Sequence, residues 1–303
     1  MEYGEAVTPS ERYCNRWGST GCSSSNSVIS DIARVQHVVC ATWGPAVDDV
    51  GGPVVSASMG SPQPQLGNDD VDPGGLLKVL TWNLAMFERS ADAPTYWGQA
   101  DTEATVRQRV LDIGPDVIAY QELPGLVPFV ETHDMIRANP RSHSGNLATL
   151  VTHELMASKP TFTTVKRAAL LTTFTNLDLT VANVHLTPGR GAGEQRRAQI
   201  RRILDKSPTD RLLIVGDTNT RVDEEDTIGG LDLDTPRPLS PTWDGHRNRF
   251  RGAAGSFRAY FTRAFSRGDL VITDQSVLDD PVELDGELFH ISDHFALLVT
   301  VAV

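Results

Sequence analysis

Residues 212–219 read Leu-Leu-Ile-Val-Gly-Asp-Thr-Asn, an apolar run that ends in a short polar segment. The apolar residues predict a buried β-strand over residues 212–215, because short apolar runs bounded by a turn signal are typical of strands inside a sheet. Gly216 permits a turn or a close approach of the backbone. Asp217 and Asn219 therefore follow the carboxyl end of a buried strand, where side chains that do chemistry can gather.

The same pattern recurs along the chain from residue 76 onward. Further strands are predicted at residues 77–84, 116–122, 147–151, 168–175, 179–186, 270–273 and 295–303. Polar residues stand at or near the ends of these runs, namely Asn83, Glu122 and His185, with Asp293 and His294 directly before the last strand. Because strand ends can converge on one edge of a sheet, we expect these side chains to meet.

Two helices are predicted, at residues 102–113 and 193–206. Gly114-Pro115 ends the first helix, and a turn at Asn176-Leu177-Asp178 joins two neighbouring strands into a hairpin. Strands outnumber helices in this pattern. The sequence therefore predicts an α+β fold, a two-layer β-sandwich of mostly antiparallel sheets flanked by helices.

Composition separates the first 75 residues from the rest of the chain. Residues 18–27 are almost all small and polar, and residues 51–75 are rich in Gly, Pro, Ser and Asp. Such a composition cannot bury enough apolar surface to offset the entropy lost on ordering the chain. We therefore expect residues 1–75 to form a poorly structured N-terminal extension, and residues 76–303 to form the functional domain.

The net charge of the 303-residue chain is −12. This value argues against an extended nucleic-acid groove, because proteins that bind duplexes without sequence preference carry a basic footprint. The sequence has no apolar run long enough to cross a bilayer and no signal-peptide pattern at its start. These features predict an intracellular protein, cytoplasmic if bacterial, that has no membrane partner, and they leave the oligomeric state open.

The carboxylates, amides and histidines at the strand ends indicate phosphoryl chemistry. Carboxylate oxygens suit Mg²⁺, which keeps several waters and takes one or two protein carboxylates together with substrate phosphate. A phosphoryl site needs a metal to neutralise charge, a base for water and donors for the oxygens, and this set supplies all three. The sequence has no Gly-x-Ser-x-Gly elbow, P-loop or His-Glu-x-x-His zinc motif, which excludes the classes that those motifs mark.

Five short motifs occur in order, namely Thr81-Trp82-Asn83, Gln121-Glu122, Asn183-Val184-His185-Leu186, Gly216-Asp217-Thr218-Asn219 and Ser292-Asp293-His294. Together they resemble the ordered motifs of the endonuclease/exonuclease/phosphatase superfamily, to which deoxyribonuclease I belongs. The resemblance covers about residues 76–303 and implies a deoxyribonuclease I-like fold with metal-dependent hydrolysis of a phosphoester. Thr218, Arg221 and Thr242-Trp243-Asp244 resemble the tyrosyl-DNA phosphodiesterase 2 branch of this superfamily.

The resemblance implies that three residues lie at the metal. Glu122 matches the metal-binding carboxylate, and Asn83 matches the amide that stands beside the metal and helps to hold the scissile phosphate. Asp293 matches an acidic residue near the metal site. The metal expected from the resemblance is Mg²⁺, with Mn²⁺ as the alternative.

The resemblance also implies which residues handle water and the phosphate. Asp217 matches the residue that orients or deprotonates the attacking water, and Asn219 matches the residue that steadies the water and the phosphate. His294 matches the histidine that contacts a phosphate oxygen, and His185 matches a further histidine of the site. The implied chemistry is in-line attack of water on a phosphodiester or a phosphomonoester.

The expected substrate is a phosphodiester, for example a DNA end that carries a 5′-phosphotyrosyl adduct. By resemblance, Arg221 and Trp243 contact it. Arg247 and Arg249 belong to a segment, residues 246–268, without acidic residues, which is interpreted either as a phosphate-backbone contact or as a solvated surface. The acidic net charge supports the alternative of a phosphatase that acts on a small molecule or a lipid headgroup.

One position departs from the family pattern. Members usually have a Phe-Asp-Arg motif whose Asp supports the terminal histidine, whereas Phe261-Thr262-Arg263 aligns there in this sequence. A threonine accepts a hydrogen bond but carries no charge. Four interpretations follow: His294 has less support, Asp269 or Asp274 takes over, the alignment is shifted by a few residues, or the domain is a catalytically weak binding module.

Overall fold

The computed structural model of the chain describes residues 75–303, except residues 124–129, 138–146, 167, 226–227, 229 and 253–254. The predicted N-terminal extension lies outside the described residues, apart from Gly75. Among the described residues, no helix is long and apolar enough to cross a membrane.

Two large sheets form the frame of the domain. The six-stranded sheet has the order β12-β15-β1-β2-β4-β3, with β1 at Leu76–Asn83, β2 at Val117–Gln121, β3 at His133–Arg137, β4 at Ala148–Thr152, β12 at Val271–Leu278 and β15 at Ala296–Ala302. The five-stranded sheet has the order β11-β8-β7-β6-β5, with β5 at Thr161–Val165, β6 at Ala169–Phe174, β7 at Leu179–His185, β8 at Arg211–Asp217 and β11 at Thr262–Arg267.

Smaller elements complete the described part of the chain. The two-stranded sheets pair β9 (Trp243–Asp244) with β10 (Arg258–Ala259) and β13 (Val282–Leu284) with β14 (Glu287–Phe289). The α-helices are α1 (Gln99–Ile113), α2 (His153–Ala157) and α3 (Gly193–Lys206). The fold is the predicted α+β sandwich, so the predicted fold class is confirmed.

Each large sheet is antiparallel apart from one internal parallel pair. Strands β1 and β2 run parallel with Asn83 opposite Gln121, and strands β7 and β8 run parallel with His185 opposite Asp217. Parallel neighbours end at the same edge of a sheet. The polar residues at the ends of these four strands are therefore brought together in pairs.

The core has three parts that follow the alternation of side chains along each strand. Inward residues such as Val79, Val117, Val181 and Val215 pack in one cluster between the two sheets. The alternate residues of β1 and β2 pack with helix α1, and those of β7 and β8 pack with helix α3. In β1 and β8 the inward series ends in Asn83 and Asp217, which places these two polar side chains at the rim of the inter-sheet core.

The structure corrects several predicted boundaries. Helix α3 occupies the predicted residues 193–206, but α1 begins at Gln99, because the Asp101 carboxylate accepts the Gly98 N–H at 2.8 Å and caps an earlier first turn. Strands β3 and β5 were not predicted, since they lie at sheet edges and lack a buried apolar run. Strand β12 extends past the predicted end at residue 273 for the same reason.

Candidate active site

A layer of neutral polar side chains lies buried just beneath the ends of the parallel strands. The Gln121 Nε2 atom donates to the Thr81 hydroxyl at 3.1 Å and to the Asn183 Oδ1 atom at 2.8 Å. The Asn183 amide in turn donates to the carbonyls of Tyr120, at 3.1 Å, and Ala148, at 2.8 Å. These bonds tie the two sheets together. We call Thr81, Gln121 and Asn183 the amide layer.

One or two positions further along the chain, two carboxylates join the polar side chains. The Asn83 Nδ2 atom donates to Glu122 Oε1 and to Asp217 Oδ2, each at 3.0 Å. The His185 Nε2 atom lies 3.5 Å from Glu122 Oε1 and 3.6 Å from Asp217 Oδ2. We call Asn83, Glu122, His185 and Asp217 the charged layer. The structure thus brings four of the predicted site residues into direct contact.

The charged layer has the donor set of a divalent-metal site. One ligand atom each from Glu122, His185 and Asp217 lies within 4.8 Å of the others. The Asp217 side chain is almost fully buried, whereas a third of the Glu122 side chain remains exposed. Two carboxylates this close repel one another unless a cation neutralises them. The geometry therefore fits a hard divalent ion that keeps open positions on the exposed side.

The backbone around this cluster is held in uncommon conformations. Glu122 and Asn219 have left-handed φ values of 48° and 51°. The Asn219 N–H donates to Asp217 Oδ1 at 3.0 Å, and the Asn219 side chain donates to the Leu186 carbonyl at 3.1 Å. A Cβ on Gly216 would lie 2.2 Å from the Val184 carbonyl oxygen, so only glycine allows β8 to approach β7 this closely. Left-handed non-glycine residues cluster at functional sites, where the surrounding structure holds them in place.

His294 approaches the same oxygen of Asp217 that His185 approaches. Its Nε2 atom is 3.7 Å from Asp217 Oδ2, and its Nδ1 atom is 3.1 Å from the Thr262 hydroxyl. The Ser292 hydroxyl accepts the His294 N–H at 3.1 Å and donates to the Asn83 carbonyl at 2.6 Å. Residue 294 is therefore fixed from both its backbone and its ring.

The contacts of Thr262, Asp269 and Asp274 bear on the alignment of the Phe-Thr-Arg segment. Thr262 is fully buried and lies opposite Asp217 in the pairing of β11 with β8. Asp269 instead forms an ion pair with Arg211 at 3.1 Å, and Asp274 accepts the Ser276 hydroxyl at 2.8 Å. Thr262 is thus the hydroxyl partner of the histidine ring, and the recorded contacts of both aspartates lie elsewhere.

Asp293 contacts a cation rather than the charged layer. The Arg251 Nε and NH2 atoms lie 2.8 and 2.7 Å from Asp293 Oδ2, and Arg251 NH1 lies 3.5 Å from Glu88. Burial works against the charged form of Arg251, but the carboxylates of Asp293, Glu88 and Glu122 outweigh it and raise the pKa of the guanidinium. Arg251 was not among the predicted site residues, and its position within a run of arginines gave no signal of this contact.

An aromatic wall borders the site on the His294 side. The Trp243 ring is 4.9 Å from the His294 ring and 5.9 Å from the Phe261 ring, in both cases edge to face. The Arg221 guanidinium lies over Phe261 at 5.5 Å and over Phe257 at 6.0 Å. A cavity of about 190 Å³ opens here. Its lining includes Trp243, Phe257, Arg251 and Asp293. The structure therefore places predicted residues Arg221 and Trp243 beside the site.

The other two predicted substrate-binding residues are engaged elsewhere. Arg247 forms an ion pair with Asp279, and Arg249 lies 2.8 Å from Asp92. The structure does not bring either guanidinium into the charged layer through any contact recorded for the described residues.

Arg196 of the arginine-rich helix α3 connects two loops that border the site. Arg196 is fully buried, and its guanidinium pairs with Glu224 and donates to the carbonyls of Thr187, at 2.6 Å, and Gly189, at 3.0 Å. This clamp joins the loop after His185 to the turn that follows the Asp217 motif. A buried guanidinium with this set of partners is structural, so Arg196 is not part of an exposed phosphate-binding surface.

The sequence matches the Endonuclease/Exonuclease/phosphatase family over residues 80–294, and the chain belongs to this family. Members of the family are hydrolases, nucleases and phosphatases among them, and the fold typically works with a divalent metal. No curated protein sequence matches the chain.

Solved structures share the fold at low sequence identity. TDP2 (tyrosyl-DNA phosphodiesterase 2) of D. rerio, complexed with single strand DNA product, is 18% identical with a TM-score of 0.57, over 75% of this chain and 99% of that chain. Truncated Caenorhabditis elegans TDP2 is 17% identical with a TM-score of 0.57, over 75% and 98%. The mannosyl-6-phosphatase Bt3783 of Bacteroides thetaiotaomicron is 14% identical with a TM-score of 0.53, over 75% and 100%.

Proposed function

We propose that this protein hydrolyses a phosphodiester bond with the help of a bound divalent cation, Mg²⁺ or Mn²⁺. The observation that carries the proposal is the convergence of ligand atoms from Glu122, His185 and Asp217 within 4.8 Å, at the ends of the two parallel strand pairs. When bound, the cation supplies charge neutralisation for the phosphate and lowers the pKa of a bound water.

The side chains around this cluster divide the remaining work. Asn83 holds both carboxylates in place, because its Nδ2 atom donates to Glu122 and to Asp217 while its Oδ1 atom accepts the Ala85 N–H. Asp217, whose second oxygen is held by the Asn219 N–H, orients the attacking water. His294, fixed by Thr262 and Ser292, donates from Nε2 to a phosphate oxygen on which negative charge develops.

We propose a nucleic-acid end as the substrate, with 5′-phosphotyrosyl DNA as the specific candidate. The aromatic wall of Trp243, Phe257 and Phe261, with Arg221 over the phenylalanines, offers stacking surfaces and a cation next to the charged layer. A phosphomonoester of a small molecule is the second candidate, favoured by the net charge of −12. The aromatic wall favours the first, because planar groups gain most from it.

The test is a substrate panel assayed with Mg²⁺, with Mn²⁺ and with EDTA. The panel holds 5′-phosphotyrosyl DNA, abasic DNA, plain DNA and RNA, inositol phosphates and a sugar phosphate. Metal-dependent turnover that is highest on the phosphotyrosyl DNA supports the proposal. Highest turnover on a monoester supports the second candidate, and binding without turnover of any substrate identifies a non-catalytic module.

We further propose that the catalytic domain spans residues 76–303. Each residue assigned a role above lies in that range, and β1 begins at Leu76. A chain that starts at Gly75 is expected to keep the turnover and the thermal midpoint of the full chain. Loss of either property in the shorter chain would contradict this boundary.

A further inference from the structure

Arg251 places a fixed positive charge at the rim of the charged layer, next to the residue that precedes His294. It lines the cavity of about 190 Å³ together with Trp243 and Phe257. About half of its side chain is exposed, whereas Asp293, which its Nε and NH2 atoms contact, is nearly buried. A solvent-facing cation anchored on a buried carboxylate is held in one orientation before any ligand arrives.

The contacts of Arg251 leave part of its hydrogen-bonding capacity open. A guanidinium carries five N–H groups in a planar fork. Its two short contacts in this structure go to one oxygen of Asp293, and its contact with Glu88 is longer, at 3.5 Å. Donors therefore remain for a further acceptor, and the arginine fork matches two oxygens of a phosphate.

The distribution of charge points to the same ligand. Glu122, Asp217 and Asp293 bring three carboxylates to one edge of the sandwich. A phosphate that enters this region faces carboxylates on the Glu122 and Asp217 side and on the Asp293 side. A divalent cation bound at Glu122 and Asp217 offsets the negative charge on the first side only. Arg251 carries a full charge on the Asp293 side, where neighbouring carboxylates raise its pKa.

Building on the proposed function, we propose that Arg251 binds a non-bridging oxygen of the substrate phosphate. Asp293 is the positioning residue that anchors Arg251 and does not bind the metal. The site then holds one divalent ion and one fixed guanidinium. This assignment replaces the expectation from the sequence that Asp293 is a metal ligand.

The test measures two affinities of the full-length protein without requiring turnover. Binding of inorganic phosphate in the presence of Mg²⁺ is measured by calorimetry, and binding of Mn²⁺ alone is measured by electron paramagnetic resonance. Arg251→Gln is expected to weaken phosphate binding by roughly 10- to 100-fold, since a charge-assisted hydrogen bond is lost. Its Mn²⁺ affinity is expected to stay within about twofold of the original, because Arg251 does not touch the metal.

Matched variants separate this role from a general loss of charge or of structure. Arg107→Gln removes an arginine of similar exposure that pairs with Glu131, and it should change neither affinity. Arg251→Lys keeps the charge without the fork and should fall between the wild type and Arg251→Gln. It also serves as the second variant if the glutamine protein does not fold. Asp293→Asn should weaken phosphate binding to a smaller extent than Arg251→Gln, with Mn²⁺ affinity unchanged.

Two results overturn the inference: Arg251→Gln binding phosphate as Arg107→Gln does, or Asp293→Asn losing about tenfold or more in Mn²⁺ affinity. Neither result depends on finding a substrate. A protein that binds phosphate through Arg251 but hydrolyses nothing in the substrate panel refutes the proposed function alone. A protein that hydrolyses phosphotyrosyl DNA equally well with Gln at position 251 refutes this inference alone.

Discussion

The amide layer and the charged layer lie at neighbouring levels of the same strand ends, yet they differ in what their polar atoms bind. In the amide layer, Asn183 satisfies both amide atoms within the protein, through Gln121 and two main-chain carbonyls. In the charged layer, Glu122 and Asp217 share the amide of a single asparagine and lie beside two histidines. Asn183 is thus paired within the protein, although the Oε1 atom of its neighbour Gln121 has no hydrogen-bond partner. The charged layer instead has an excess of negative charge.

The difference shows how one edge of the sandwich serves both stability and chemistry. A buried polar group with its partners in place fixes the register of the two sheets. Carboxylates held close together without a fixed cation cost stability, and binding a divalent ion recovers it. We therefore expect substitutions in the charged layer to act on metal binding and turnover. Substitutions in the amide layer should act on the free energy of unfolding.

The largest expected effect comes from removing one charge of the charged layer. Glu122→Gln keeps the shape of the side chain and the acceptor for Asn83, but it removes an anionic ligand. Turnover on the best substrate is expected to fall by about 10³-fold or more, because metal and water activation act as one unit. The thermal midpoint without metal should stay unchanged or rise, since the repulsion between carboxylates is relieved.

Glu131→Gln is the control for this change, because Glu131 forms an exposed ion pair with Arg107. Initial rates and thermal melts of the three proteins decide the outcome. Full turnover of the Glu122→Gln protein, or full turnover of the wild type in EDTA, would show that the charged layer does not work through a cation.

The second prediction concerns the amide layer. Asn183→Leu removes the side-chain donor to the carbonyls of Tyr120 and Ala148 and one acceptor of Gln121, whose Nε2 atom keeps Thr81 and Ala119 as partners. The loss of free energy of unfolding is expected to be about 3 kcal/mol, from the cost of unsatisfied buried groups. The thermal midpoint should fall by on the order of 10 °C, measured by calorimetry.

For comparison, Asn176→Leu changes an exposed turn residue and should lower the midpoint by little. Well below the midpoint, the Asn183→Leu protein should retain turnover within about tenfold. If instead it melts like the wild type and loses its turnover, the two layers do not divide stability and chemistry as described.

The parts of the fold that could be predicted from the sequence are the buried central strands. Strand β2, Val117–Gln121, is buried at every residue and reads as an apolar run. Strand β3, His133–Arg137, lies at a sheet edge and mixes His, Asp and Arg with two apolar residues. Strand β3 is held in place by its hydrogen bonds to β4, and the local sequence pattern does not predict this pairing.

The same distinction applies to the candidate site. Asn83 and Asp217 end apolar runs that are visible in the sequence, so their position at a common edge could be anticipated. Arg251 could not be anticipated as the partner of Asp293. The two residues are 42 positions apart, and Arg251 lies outside any strand in a segment with several other arginines. Pairing of this kind depends on where loops pack, and periodicity carries no information about that.

The smallest effect is expected from substitutions of Thr262, a neutral residue that borders the charged layer. Thr262 is fully buried, and its hydroxyl is 3.1 Å from Nδ1 of His294. Thr262→Val keeps the shape and removes the hydroxyl, so the ring loses a hydrogen bond that orients it. Turnover of this variant is expected to fall by a few-fold. A well-placed acid–base group speeds a reaction by roughly 10²–10⁴-fold, and the hydrogen bond that orients it accounts for only part of that factor.

Thr262→Asp changes charge at the same position and extends the charged layer by one carboxylate. The new anion should hold the ring of His294 and favour its protonated form, which gives an increase in turnover of about tenfold or less. It also adds a carboxylate opposite Asp217, so the thermal midpoint should fall unless metal is bound. Turnover and thermal midpoint are measured for both variants with and without Mg²⁺. If both variants match the wild type in turnover, the hydroxyl of Thr262 does not position His294, and the ring is oriented by Trp243 and its own backbone contacts.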